Sequence, residues 1–520
     1  MKYELLIYNA KIFSLDKKNS VYDWMTINNG RLIHLGENQP SKSEFDNAQE
    51  IIDLKGYPVY PGFFDSHVHL VQTGLNLMSL DLSQCTSIEE VKQCIKTYIN
   101  NKECDEKTII YGYGLDETKI LERELPDRRD LDECSKEYPI WLNRIEFHKS
   151  VVNSRALHLS SIPFTLRGIE REASGLPTGR FTSEASAWIR NFMFNRITDE
   201  RREEGIRLAV DSFLEKGVTS INCMEGGYMF HDKDADYIYQ YHNQFSIDMY
   251  LYYQTTDIKK IMNMGLKRVG GDIFIDGSFG SHTAALSEPY YDKPSTCGTL
   301  FFDQETINDF VEQAHRNGIQ VSVHAIGDRA IDQILNAYEK VMKKYPDIYM
   351  RHRIEHFELP TDDQIERASK LDVILSVQPA YEYYWGELGG MYAYRLGNKR
   401  RNNTNPFRKY IESNITITGG SDCHVTPCNP LLGIHSAVNH PIEKYALSVD
   451  EAVRMFTING AIAVNDIKNK GSLEANKLAD FVVLSTALNK VESNEIKNID
   501  VLATYKEGIE LYHKEGDLFV

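Results

Sequence analysis

The 520-residue chain has no apolar run near the roughly 20 residues that a membrane-spanning helix needs. It also has no Cys-x-x-Cys spacing. Its 8 cysteines are scattered, so no disulfide framework is written into it and reduced thiols are the expectation. Basic charge is short as well: 58 Lys and Arg stand against 75 Asp and Glu, a formal net charge of −17. That balance argues against nucleic acid and against an anionic membrane as partners. Residues Met1 to Leu6 lead straight into strand-like alternation without a basic n-region or long apolar h-region, so the expected location is cytoplasmic. No internal repeat or low-complexity tract interrupts the chain.

What is present is a globular composition, 42% hydrophobic, in a length that allows several domains or one large barrel with additions. Both ends read as short strands. Leu5–Tyr8, Trp24–Ile27 and Leu32–Leu35 lie at the start, with Asn28-Asn29-Gly30 as a hairpin signal between the last two. Asp480–Leu484, Val501–Tyr505 and Ile509–Tyr512 lie at the end, the last two joined by Glu507-Gly508. Neither group has enough strands to bury both faces alone. We expect one small composite β-sandwich, from residues 1–60 and 466–520.

The middle, 61–465, alternates helix and strand periods. Helical patterns over 201–216 and 304–316 stop at Gly217 and Gly318, and further helices are expected over 328–345 and 362–370. Strands follow at Val218–Ile221, Ile319–His324, His352–His356, Val373–Val377 and Ile415–Asp422. Repeated strand–helix units give a parallel sheet with right-handed crossovers. A doubly wound sheet fits the same rhythm, but here polar residues recur at successive strand ends, which favours an α/β fold of the (β/α)8 TIM type. Residues 77–200 break the rhythm and read as an inserted α/β subdomain lying over the barrel mouth.

The chemistry is concentrated at those strand ends. His67 and His69 form an H-x-H pair, and alternate residues of a strand face one side, so both imidazoles aim at one point. His324, His356 and Asp422 close three later strands. Taken singly, His324 or His356 reads as a core histidine. Taken in order around a barrel, the five make a set that could hold a divalent ion. Such an ion lowers the pKa of a water towards about 7, and Asp422 could take the proton and pass it on. Cys423 and Cys428 lie close to Asp422 and read as incidental.

These residues occur in longer motifs: Pro61-Gly62-Phe63-Phe64-Asp65-Ser66-His67-Val68-His69, Asp276-Gly277-Ser278-Phe279-Gly280-Ser281-His282, His324-Ala325-Ile326-Gly327-Asp328, Arg353-Ile354-Glu355-His356, Ser376-Val377-Gln378-Pro379 and Gly420-Ser421-Asp422. In combination they resemble the amidohydrolase (urease-related) superfamily, in its branch of YtcJ-like metal-dependent hydrolases, over essentially the whole chain. The resemblance implies a barrel with a composite sandwich and metal held by His67, His69, His324, His356 and Asp422. It also implies hydrolysis of C–N bonds, mostly amides and sometimes ring amidines, with the aspartate shuttling the proton.

One position departs from the family. Many two-metal relatives carry a carboxylated lysine four residues before the Asp276-Gly277 turn, and here that residue is Asp272. Asp272 could bridge two ions, bind one, or orient a histidine from behind, and Asp276 is expected on the same strand face. One or two zinc ions are both open. Tyr381, Tyr383, Tyr384, Trp385, Tyr392 and Tyr394 crowd an expected loop after Gln378, so Tyr381, Trp385 and Gln378 are candidates for binding substrate. In the insert, Arg144 and His148 could bind a carboxylate or an oxyanion. His282 and His424 are left outside the metal set. Three functions follow: a hydrolase of an amide, N-acyl or N-formyl bond, a deaminase of a ring amidine, and a barrel that kept its fold without catalysis. The expected partner is a small-molecule substrate, and self-association as a homo-oligomer is left open.

Overall fold

A computed structural model describes residues 2–101, 108–117, 119–145, 149–227 and 230–516. At its centre lie eight parallel strands: β1 (Phe63–Val68), β2 (Val218–Glu225), β3 (Asp248–Tyr253), β4 (Arg268–Phe274), β5 (Gln320–Ala325), β6 (Arg353–His356), β7 (Ile374–Val377) and β8 (Thr416–Gly419). Each strand pairs with its neighbour in chain order. The two edges then meet: the Asp422 amide donates to His67 O and the His69 amide to Cys423 O, both at 2.8 Å. The Ser66 and Thr418 hydroxyls join the same seam at 2.5 Å. The fold is the expected (β/α)8 barrel.

Strands covered on both faces read as continuous apolar runs rather than alternations. β2 and β7 are buried at every position. The returning helices begin where a side chain can satisfy their open amides. Asp303 caps Gln304–Arg316, and Thr361 with Gln364 forms a capping box on Asp362–Lys370. Two parts differ from the sequence reading. β3, of sequence DMYLYY, carries a polar end and three tyrosines, and no helix or strand period singles it out. The aromatic stretch after β7 is not a loop but two helices, Pro379–Trp385 and Met391–Arg401. Pro379 is at home in a first helical turn, and Gly386, Gly389 and Gly390 separate the two.

β4 carries the local feature that matters most for the centre. Gly270 and Gly271 both have positive φ, +93° and +83°, and the β4–β5 ladder shifts register between Gly270 and Phe274. A bulge of this kind re-aims the side chains that follow it, and Asp272 comes next.

The sandwich is composite, as expected. One sheet holds Tyr3–Tyr8, Trp24–Asn28, Arg31–Gly36 and Ala48–Asp53, the first and last of these in parallel. The other interleaves the two ends of the chain, with Val482 opposite Tyr60. Leu5, Ile7, Met25, Val59, Phe481, Val483 and Tyr505 fill the space between. Buried Lys470 ties sandwich to barrel, its ammonium meeting Asp480 at 2.5 Å, Ser220 of β2 at 3.1 Å, and Asp248 of β3.

Residues 70–209 and 226–234 form a second compact unit. Its six-stranded sheet runs in the order Ile169–Arg171, Pro177–Thr182, Lys149–Val152, Ile140–Arg144, Ile110–Leu115, Leu80–Asp81. Helices such as Ile88–Asn101 pack Val91 and Ile95 against Ile110, Ile140 and Leu142. Among the described residues no helix is long and apolar enough to cross a membrane.

The bulge in β4 gives a test. A Cβ at Gly270 would stand 1.9 Å from Ser322 O, whereas at Gly265, also at positive φ, it would meet nothing within 4 Å. Gly270→Ala should lower the urea midpoint by more than Gly265→Ala. The backbone conformation alone accounts for about 1–3 kcal/mol at either position, and equal midpoints would refute the steric argument.

Candidate metal centre

Four strand ends and one turn converge. His67 ends β1 and His69 follows it, with ring centroids 5.3 Å apart. Two residues on one strand face account for that approach. His356 closes β6 and lies 5.1 Å from the His67 ring and 4.4 Å from the ring of His324 on β5. Asp272 comes from β4, and Asp422 from the turn after β8. All six side chains are buried.

Each imidazole has one nitrogen anchored and one turned inward. His67 Nδ1 meets Glu355 at 2.9 Å, His69 Nδ1 meets Met224 O at 2.9 Å, and His356 Nδ1 meets Gln378 Oε1 at 2.7 Å. His324 is reversed: its Nε2 lies 3.2 Å from Gly277 O, and its Nδ1 faces inward. An acceptor on one nitrogen fixes the proton there and leaves the lone pair on the other. Four lone pairs therefore face one space, and two carboxylates border it. Asp422 Oδ1 is 3.4 Å from His67 Nε2 and 3.0 Å from His69 Nε2. Asp272 Oδ1 is 3.0 Å from His324 Nδ1 and 3.5 Å from His356 Nε2, and its Oδ2 is 3.5 Å from His69 Nε2.

The electrostatics ask for positive charge at this spot. Burial opposes protonation of His67, yet the Asp422 carboxylate beside it and the bond to Glu355 push its pKa up to about 10. Burial likewise opposes ionising Asp272 and Asp422, but the neighbouring histidines hold both well below the usual carboxylate range. A divalent cation would meet the same demand without protons on the imidazoles. His67 Nε2 and Asp422 Oδ1 are buried and make no hydrogen bond. Three donor sets, His67/His356/Asp422, His67/His69/Asp272 and Asp272/His324/His356, each have their atoms within 4.8 Å of one another. By donor type and placement the residues fit a divalent metal.

Other expected residues fall elsewhere. Gln378 is 1% exposed and holds His356, so it supports the centre rather than lining a substrate wall. The Tyr381 hydroxyl donates to Asp422 Oδ2. Trp385 packs edge-on to Tyr381 with centroids 4.8 Å apart, while Tyr383, Tyr384 and Tyr394 are exposed. Arg144 pairs with Glu117 at 2.5 Å within the second unit, an ordinary ion pair of that unit. His148 lies outside the described residues. Asp276 does not share the role of Asp272: its oxygens accept the amides of Ala285, Ile326 and Gly327 at 2.7–3.0 Å, and it pins the turn after β4.

Glu355 was missed as a functional residue, although Arg353 and Glu355 sit two apart on one strand. Both are fully buried. The Arg353 guanidinium grips Glu355 at 2.9 and 3.0 Å and donates to Ser66 O and Tyr252 Oη across the barrel. That ion pair holds the Glu355 pKa down to about 2 despite burial. Strand alternation would send His356 to the opposite face from Glu355, but His356 has φ +70° and turns inward too.

The profile of the Amidohydrolase family matches residues 50–512. The chain is 29% identical to the "Putative amidohydrolase YtcJ" of Bacillus subtilis, over 96% of this chain and 97% of that protein. It is 27% identical to the "N-substituted formamide deformylase" of Arthrobacter pascens, over 99% of each. Among solved structures, an uncharacterized metal-dependent hydrolase from Pyrococcus horikoshii superposes with a TM-score of 0.79 at 28% identity, over 94% of this chain and 99% of that one.

Glu355→Ala would leave the buried Arg353 without its carboxylate and should destabilise the fold by about 3–5 kcal/mol. Glu355→Gln keeps an acceptor for His67 and should lose less in a urea titration. Equal losses would show that the charge of Glu355, which both variants remove, outweighs its role as an acceptor for His67.

Proposed function

We propose a function from one premise: the chain belongs to the amidohydrolase family, in its YtcJ-like branch, as a hydrolase of carbon–nitrogen bonds other than peptide bonds. From that premise we propose that it cleaves an N-formyl or N-acyl bond of a small molecule to a carboxylate and an amine. The observation that carries the reading is the set of four inward lone pairs bordered by Asp272 and Asp422. The similarity to an N-substituted formamide deformylase over 99% of both chains supports the choice of bond.

His67, His69, His324, His356, Asp272 and Asp422 would hold the metal, with zinc the first candidate. A bound divalent ion supplies Lewis acidity and a water acidic enough to attack near neutral pH. The chain's own residues do the rest. Asp422, at the seam between β8 and β1, takes the proton released by the attacking water and returns it to the amine nitrogen as the C–N bond breaks. Glu355, Gln378 and the two backbone carbonyls keep each imidazole in the tautomer that faces inward. Asp272 presents one oxygen to His324 and His356 and the other to His69. Placed so, Asp272 would help hold the metal, with an oxygen available on either side for one ion or two.

The test is a panel of N-substituted formamides and N-acyl amines assayed for release of formate or carboxylate. Turnover should disappear on chelation and return with zinc or manganese. Ammonia from a ring amidine, with no carboxylate released from the panel, would mark a deaminase instead. Asp422→Asn should lower kcat by about 10²–10⁴-fold. Elemental analysis should find two ions in the wild type and fewer in Asp272→Asn. One ion in both proteins would show that Asp272 does not hold a second.

A further inference from the structure

The two oxygens of Asp422 have different neighbours. Oδ1 faces His67 and His69, while Oδ2 accepts the Tyr381 hydroxyl. Half a turn about the Cβ–Cγ bond would exchange them, and carboxylate torsions of this kind are broad. Something must select which lone pairs face the histidines. We propose, resting on the metal-hydrolase reading above, that Tyr381 is the positioning residue for Asp422, its hydroxyl locking the carboxylate so that Oδ1 is presented to the metal centre.

The surroundings make that hydroxyl a fixed point. Tyr381 is 6% exposed. Its ring lies nearly parallel to His356, 10° and 6.2 Å between centroids, and Trp385 meets it edge-on. It sits in the first turn of the helix Pro379–Trp385, where its amide donates to Gln378 O at 3.0 Å. Gln378 in turn holds His356 Nδ1. One turn of chain after β7 therefore sets two members of the centre, His356 through Gln378 and Asp422 through Tyr381. A phenol donating to a carboxylate makes a charge-assisted hydrogen bond, stronger than one between neutral groups. A substrate carbonyl that took this donor would release Asp422, so the role differs from substrate binding.

The test uses Tyr381→Phe, which removes the hydroxyl and keeps the ring packing. Zinc affinity, measured by competition with a chromophoric chelator, should weaken by about 10–100-fold, the usual effect of losing a partner of a metal ligand. On a formamide substrate kcat should fall with KM within about twofold of wild type, since the loss of an oriented group acts on the reaction step. In an Asp422→Asn background the same change should alter zinc affinity by less than about twofold, because its target is gone. Unchanged zinc affinity in Tyr381→Phe, an equal loss in both backgrounds, or a rise in KM with kcat preserved would each overturn the assignment. Wild-type protein that bound no zinc would refute the metal reading itself. Wild-type binding with an unaffected Tyr381→Phe would refute only the role of Tyr381.

Discussion

Asp272 and Asp422 are carboxylates withdrawn from water, and such groups cost several kcal/mol each unless positive charge or hydrogen-bond donors meet them. Here they stand against four imidazoles whose outer nitrogens are already engaged. The arrangement works only if every outer partner is present. An imidazole released by Glu355 or Gln378 could turn over and offer a proton where a lone pair is needed. The centre is therefore a network in which ligand-type residues and their supports form one electrostatic unit. Arg353 extends it by neutralising Glu355 inside the barrel.

The barrel supplies this network through its closure and its irregularities. Parallel strands bring residues distant in sequence to one rim, but regular strands alone would not aim them correctly. His356 and Asp422 both have positive φ, 70° and 54°, and Gly270 and Gly271 bend β4 ahead of Asp272. Backbone of this kind is disfavoured for most residues and persists where the surroundings over-determine it. At Asp422 the surroundings are visible: its amide is bonded to His67 O, so the seam that closes the barrel also fixes the carboxylate beside the first histidine pair.

How much of this was legible in the sequence follows from the same division. The H-x-H pair was readable because His67 and His69 obey strand alternation. The barrel was readable because helices such as Gln304–Arg316 end beside glycine stops and strands such as Ile374–Val377 are mostly apolar. The termini were readable from hairpin signals, and Asn29 and Gly30 do take positive φ. Glu355 was not readable, since alternation separates it from His356 and only the left-handed turn reunites them. Gln378 and Tyr381 were expected to bind substrate, and the contacts their polar atoms make, to His356 and Asp422, were not expected. Their aromatic neighbourhood resembled a pocket wall, whereas their polar atoms face inward to other side chains, a matter of helix geometry that the Pro-led segment hides.

The residues that can hold a metal and the irregular segments around them occupy different parts of the chain. The groups that can hold metal sit on short strand ends whose positions the barrel dictates. The rhythm of strand and helix lapses in two segments of the barrel unit, residues 275–303 after β4 and 379–401 after β7. Both are held by side chains outside the metal set: Arg395 binds Asp292 at 2.5 Å, and Arg400 donates to Glu288 O and Pro289 O. The two segments are thus fastened to one another. Tyr381 lies in the second of them and its hydroxyl rests on Asp422, so a change in either segment can reach that carboxylate through one helix turn. In a fold whose active-site loops vary while its strands persist, that linkage is the physical route by which a new substrate wall would retune the chemistry as well as the fit.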